Sequence, residues 1–432
     1  MKLSLYNTVI PIQNKHTLVY NALSGKFLII KNKFLDINSD AISSLNSLNN
    51  VLYQNLIDAG VLIDDNIDEI KILNNRIINS ENNDKDYILH INPTLDCNLR
   101  CWYCYEKHIT GSKMSRTVLS AIKKFITREI NANSKLETFH LGFFGGEPLL
   151  YYKETVLPLI SHASKTCKDN NIKFSLHFTS NGTILNSDII ELLSQYNCGF
   201  QITIDGDKKY HNNTRFFIGG ADSFDLIINN IIELAKKNIS VIVRINYTAQ
   251  NIKSIYNLIE YFNTLHKDIL SFVQFDFQRV WQDRINRFDE TEIEASNIRN
   301  LFRKNGLCVL TNYIPKDIRF PCYGDKKNHV LINYNGLVFG CTARDFTIEN
   351  SIGRLHSNGY IIYNKEVIYK RNTSKFSKDV CKTCRIAPLC GGGCKQRAYE
   401  ALDTEECTFK YTPSDMDNMV LDLFEYCHLS NP

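Results

Sequence analysis

The sequence predicts an α/β protein built on a partial (β/α)6 barrel, with a small α+β segment before it and a cysteine-rich segment after it. Three observations carry this. Six short strand-like runs alternate with helix-period stretches between residue 87 and about residue 300. Three cysteines, Cys97, Cys101 and Cys104, crowd into one loop directly after the first of those runs. Nine of the fourteen cysteines fall from Cys308 onward, in a stretch with little regular pattern.

The bulk numbers set limits. A chain of 432 residues is long enough for two or three domains. The composition, 44% hydrophobic and 22% charged, is that of a globular protein. The net charge of 50 − 46 = +4 is too small to argue for nucleic acid or a membrane surface as partner. Short spacings within the cysteine groups read as metal ligation rather than a disulfide framework. The stretch Met1–Asn7 lacks the apolar core of a signal peptide, and no run of about 18 apolar residues could span a bilayer. The expected location is a reducing cytoplasm.

Residues 1–85 contain no cysteine. Residues 18–30 read as two strands joined at Ser24-Gly25, followed by short amphipathic helices near 40–48 and 51–57, with Gly60 as a C-terminal cap. The polar run 79–86 reads as a linker. Within 86–305, strands are expected at 87–91, 138–144, 174–179, 200–204, 241–246 and 272–277, and helices include 118–130 and 224–237. That alternation implies right-handed βα units and a parallel sheet, and chemistry in such sheets sits at the C-terminal ends of strands. Residues 306–432 read as a cluster-binding segment in which metal substitutes for an apolar core.

Several polar motifs follow the strands. Gly145-Gly146-Glu147-Pro148 follows the second; its glycines allow close backbone approach, and Glu147 can accept a bond from an amine. Ser180 and Asn181 end the third strand, Asp205 the fourth, Arg215 follows, and Arg244 with Asn246 lies on the fifth. Read blandly, Asn181-Gly182 and Asp205-Gly206 are turns, Arg215 is a surface charge, and the cysteine loop is a zinc knuckle or buried thiols.

Together, the run from Cys97 to Cys104 and the downstream Gly145-Gly146-Glu147 resemble the radical S-adenosylmethionine (SAM) enzymes. By that resemblance Cys97, Cys101 and Cys104 hold a [4Fe–4S] cluster whose open iron binds SAM, and one electron cleaves SAM to a 5′-deoxyadenosyl radical. The resemblance further implies SAM contacts from Gly145, Gly146, Glu147, Ser180, Asn181, Asp205, Arg215 and Arg244, and an aromatic, Tyr103, near the adenine. An arginine suits the SAM carboxylate because its planar fork pairs with two oxygens.

The tail, Cys322, Gly336, Cys341, Cys381, Cys384, Cys390, Cys394 and Cys407, resembles the SPASM extension of that family, which holds one or two further [4Fe–4S] clusters. The resemblance assigns Cys381, Cys384, Cys390 and Cys407 to one cluster, with Cys427 as a substitute for Cys407. It assigns Cys322, Cys341 and Cys394 to the other, with Cys308 or an open iron as the fourth position. Gly391-Gly392-Gly393 gives backbone room to wrap a cluster. Cys167 and Cys198 read as packing.

The resemblance implies a peptide or protein maturase. The first reading is a radical SAM enzyme that abstracts hydrogen from a ribosomally made peptide, giving a C–C or thioether cross-link or an epimer, with residues 1–85 binding the leader peptide and a flavodoxin or ferredoxin supplying electrons. The alternatives are an anaerobic sulfatase maturase making formylglycine from Ser or Cys, and a non-catalytic cluster-binding partner. No catalytic base is identified; Asp276, Asp283 and Tyr323 are candidates by position only.

Overall fold

The structure, a computed structural model, describes residues 1–13, 15–32, 49–283, 289–310 and 322–429. The chain forms two compact units. One combines Met1–Asn83, Tyr313–Lys327 and Lys365–Pro432; the other combines Asp84–Asn312 and Asn328–Asn364.

The second unit is the α/β body. Its strands are β1 (Asp86–Asn92), β2 (Thr138–Phe143), β3 (Lys173–Ser180), β4 (Asn197–Ile204), β5 (Ser240–Tyr247), β6 (Val273–Arg279), β7 (Cys308–Val309), β8 (His329–Asn333), β9 (Leu337–Phe339), β10 (Gly353–Leu355) and β11 (Ile361–Tyr363). The sheet order is β7-β6-β5-β4-β3-β2-β1-β8-β9-β10-β11. Every pair from β7 to β8 is parallel, and the last three pairs are antiparallel. Each of the first six strands lies beside its predecessor, the single winding of a barrel rather than of a doubly wound sheet. All six expected strands are present.

Strict alternation places the site. Along β4, Cys198, Phe200, Ile202 and Ile204 are buried, and along β5, Val241, Val243, Ile245 and Tyr247. The residues between them, Gln201, Thr203, Arg244 and Asn246, face the opposite side and line one cavity. Phe143, Phe178 and Phe200 stack across β2, β3 and β4 at 5.2 and 4.7 Å, a cross-strand ladder that fixes register. Helix Arg116–Ala132, capped by Ser115, buries Ala121, Ile122, Phe125, Ile126 and Ile130; helix Phe224–Lys236 buries Ile227, Ile228, Ile231, Leu234 and Ala235.

In the first unit, strands Asn7–Ile12, His16–Asn21 and Lys26–Lys31 form an antiparallel sheet in that order. The last two are the expected hairpin, turning through Gly25 at φ +72°; the first has no counterpart among the expected strands. Helix Asn50–Asp58 ends before Gly60, which has φ +72°. The helix expected at 40–48 lies outside the described residues. The run read as a linker instead begins inside helix Glu69–Glu81, whose last three residues are Asn79, Ser80 and Glu81; Asp68 caps its N-terminus. The tail is also more regular than its sequence suggests, with helices Lys365–Ser374 and Pro413–Leu429.

One core joins the two ends of the chain: Tyr6, Leu18, Tyr20, Leu73 and Ile77 pack with Phe376, Ile386, Leu389, Met419 and Val420. Truncating one such side chain, as in Leu73→Ala, costs about 2–5 kcal/mol, so removing the whole N-terminal stretch would uncover the tail's packing surface. Among the described residues, no helix is long and apolar enough to cross a membrane.

Candidate active site

The cysteine loop leaves the C-terminal end of β1 and is pinned on both sides. The Asp96 carboxylate accepts from the Cys97 and Gly111 backbone N–H groups, each at 2.8 Å. Beyond it, Arg100 N donates to Phe216 O at 3.1 Å, and Ile218 N donates to Asn98 O at 3.0 Å. Cys97 is buried, Cys101 half-buried and Cys104 exposed, and all three line one cavity with Tyr103, Gly145, Gly146, Ser180, Asn181, Arg215, Arg244 and Asn246.

Gly145 and Gly146 are explained by backbone contact. Gly145 has φ +102°, and a Cβ there would collide with the Thr94 carbonyl; a Cβ on Gly146 would collide with the Asp96 carbonyl. The end of β2 therefore presses on the chain entering the cysteine loop. Glu147 is fully buried and does not line the cavity. Its carboxylate accepts from Asn181 N at 2.7 Å, the Ser180 hydroxyl at 2.9 Å and Leu149 N at 3.0 Å. Burial pushes it up to about 6, and these bonds limit the rise. Glu147 thus ties the ends of β2 and β3 together.

Tyr103 is a hub. Its hydroxyl donates to Asp205 at 2.7 Å and accepts from Arg215 Nη1 at 2.8 Å and Asn246 Nδ2 at 3.0 Å. Arg244 Nε donates to Asn246 Oδ1 at 3.1 Å. Asp205 is buried behind this network; burial raises its carboxyl to about 6, against the pull of Arg215 and Tyr103. Arg215 Nε is buried with no hydrogen-bond partner. Arg215 itself lines the cavity, and a guanidinium with a spare N–H there is suited to pairing with an anion.

Sequence reasoning missed other lining residues, among them Glu106, His108, Gln201, Thr203, Arg279, Trp281 and Gln282. Gln201 and Thr203 were detectable from strand alternation; Trp281 and Gln282, in a short turn after β6, carry no such signal. Asp276 and Asp283 do not line the cavity: Asp276 accepts from Gln278 at 2.8 Å, and Asp283 pairs with Arg279 at 3.3 Å. Tyr323 belongs to the first unit.

In the first unit, Cys381, Cys384, Cys390 and Cys407 line a second cavity of about 350 Å³. Gly391, Gly392 and Gly393 all have positive φ, +59°, +81° and +89°, so the chain coils left-handedly around it. Cys427 is exposed and is not among the lining residues. Cys322 and Cys394 lie in this same unit, Cys341 and Cys308 in the other. Cys167 and Cys198 are buried. Among the described residues, no three His, Cys, Asp or Glu side chains converge as ligands of a single ion. Four thiols around a roomy cavity match a multi-iron cluster better than one tetrahedral zinc.

Residues 91–262 match the Radical SAM superfamily. The chain carries a radical SAM domain and is an enzyme of that type. SAM and a [4Fe–4S] cluster are the cofactors of that family, and the donor set fits them: three thiols in one loop share a cavity with Arg215, whose Nε has no hydrogen-bond partner. The cysteine-type anaerobic sulfatase-maturating enzyme of Clostridium novyi (strain NT) is 24% identical over 338 residues, 70% of this chain and 85% of that protein. The serine-type enzyme of Bacteroides thetaiotaomicron is 30% identical over 150 residues, 33% of this chain and 35% of that protein. Among solved structures, native anSMEcpe with bound AdoMet superposes with a TM-score of 0.59 at 20% identity, over 80% of this chain and 99% of that one. Streptococcus suis SuiB bound to precursor peptide SuiA gives 0.53 at 13% identity, over 94% and 97%. At these identities the structures establish a shared fold.

Proposed function

We propose that this enzyme is a maturase that oxidises a ribosomally made precursor peptide and holds the peptide's leader on its N-terminal sheet. The observation that carries the reading is that sheet. Among the described residues, its outer strands Asn7–Ile12 and Lys26–Lys31 each pair on one side only, with Val9 and Ile29 exposed. An unpaired edge can accept an extended peptide as a further strand. The SuiB structure, solved with its precursor peptide, is matched over 94% of this chain, whereas anSMEcpe is matched over 80%.

In this reading Cys97, Cys101 and Cys104 hold the SAM-binding cluster. Cys381, Cys384, Cys390 and Cys407 hold an auxiliary one, and Cys322 and Cys394 serve the other. Loaded with electrons from a flavodoxin- or ferredoxin-type donor, the cluster and SAM supply a 5′-deoxyadenosyl radical that abstracts hydrogen. The protein's own part is placement. Arg215 pairs with the SAM carboxylate, Tyr103 and Asn246 fix that arginine, and Gly145, Gly146, Ser180, Asn181 and Arg244 shape the remaining wall. Glu147 and Asp205 hold the strand ends from behind. Holding both reactants in one geometry supplies much of the rate.

The test is anaerobic co-expression with the small peptide encoded beside the gene, followed by mass spectrometry. Loss of two hydrogens, mapped by fragmentation to a linked pair of residues, is the expected result. An unmodified peptide alongside intact SAM cleavage would favour the second reading, a sulfatase maturase making formylglycine, which the 24% identity over 338 residues supports.

A further inference from the structure

Four charged side chains are buried together in the first unit, and two of them neighbour cysteines. Asp325 lies three residues past Cys322, and Lys395 directly follows Cys394. Glu81 closes helix Glu69–Glu81, and Lys375 follows helix Lys365–Ser374. Lys375 Nζ lies 2.9 Å from Asp325 Oδ2 and 3.0 Å from Glu81 Oε1; Lys395 Nζ lies 3.0 Å from Glu81 Oε2. Lys395 also donates twice to Asp325, from Nζ to its carbonyl at 2.6 Å and from the backbone N–H to Oδ1 at 3.0 Å. Side-chain exposures are 6% for Asp325, 7% for each lysine and 14% for Glu81.

Two cations and two anions removed from water form a set that is costly unless complete. As a structural staple alone, the set could sit anywhere in the unit. Its position is specific: Asp325 grips the residue next to Cys394 from the turn that carries Cys322. We infer that Asp325 and Glu81 are positioning residues for an iron–sulfur cluster held by Cys322 and Cys394, an inference that rests on the ligand reading above. Asp325 fixes the spacing of the two thiolates. Glu81 balances Lys375 and Lys395, and with them sets the charge next to the cluster, one of the factors that sets its reduction potential.

The test uses the full-length, anaerobically reconstituted enzyme, with iron per chain, thermal melting and EPR-monitored redox titration as readouts. Glu81→Gln is expected to keep its iron and move the midpoint potential of one auxiliary cluster upward, because one negative charge is lost; Glu81→Asp should restore it. Asp325→Asn is expected to lose the iron of that cluster while SAM cleavage without peptide persists. Glu366→Gln, at the exposed Lys370–Glu366 pair, should match the unaltered enzyme in every readout. Unchanged potentials in Glu81→Gln, or full iron in Asp325→Asn, would overturn the inference. Cys322→Ala and Cys394→Ala separate the two levels. If neither loses iron, the ligand reading fails; if both do while the Glu81 and Asp325 variants behave as the unaltered enzyme, only the positioning role fails.

Discussion

The Tyr103 hydroxyl stands between an acid and a cation, 2.7 Å from Asp205 and 2.8 Å from Arg215. It joins the cysteine loop to the end of β4 and to the arginine aimed at the cavity. Tyr103→Phe leaves a buried carboxylate short of a donor and Arg215 short of an acceptor. SAM affinity should fall about tenfold, or ~1.4 kcal/mol, with iron content unchanged. Calorimetric titration of SAM into the reconstituted enzyme measures it; an unaltered affinity removes Tyr103 from the SAM site.

Replacing Cys97, Cys101 and Cys104 together by Ala should abolish SAM cleavage while the tail keeps its iron, since the second cavity is built from other cysteines. Iron analysis alongside chromatography of the cleavage product checks both halves. Disappearance of all iron would contradict separate sites.

Gly146→Ala is the smallest change that should disturb the first site. Its added methyl meets the Asp96 carbonyl, so the loop must shift. The expected result is loss of iron from the SAM-binding cluster with the auxiliary signals intact, read by EPR after reconstitution. Normal loading would show that the loop yields without cost.

His90 gives a pH signature. Burial, then His177 and His140, pushes it down to about 3, far below its ordinary 6.5. The folded state therefore holds this proton less tightly than the unfolded chain. The stability it contributes is present above pH 6.5 and is lost as pH falls towards 3. Relative to His90→Gln, the apoprotein should lose roughly 3 kcal/mol by about pH 4. Melting curves of the two proteins across pH 4–7 test this, and parallel curves would show that His90 is not the group responsible.

The barrel was legible because some of its strands alternate in sequence: Phe200, Ile202 and Ile204 against Gln201 and Thr203 is a period of two that needs no tertiary information. The cysteine loop was legible because its three cysteines are local in sequence. Glu147 was singled out for its motif, yet the structure turns it inward onto Ser180 and Asn181, a partnership 33 and 34 residues away that no spacing rule encodes. The regularity of the tail was hidden for a related reason. Strand β8 is defined by pairing with β1, and helix Pro413–Leu429 by packing that includes Tyr6 and Leu18, contacts between opposite ends of the chain. Buried ion pairs such as Lys375–Glu81 read in sequence as ordinary surface charges.

The position of β1 has a consequence for biosynthesis. That strand carries the cysteine loop, and its second edge is closed by β8; His90 and its partner His329 stand 239 residues apart. At translation rates of about 5–20 residues per second, the ribosome takes roughly 12–48 s to supply the closing strand. Throughout that interval the nascent chain presents an unpaired strand edge next to three free thiols, exposed to misassociation and oxidation. Slow codons or a missing chaperone in a foreign host would prolong it, so the aggregated fraction should follow elongation speed between β1 and β8 more closely than it follows iron supply.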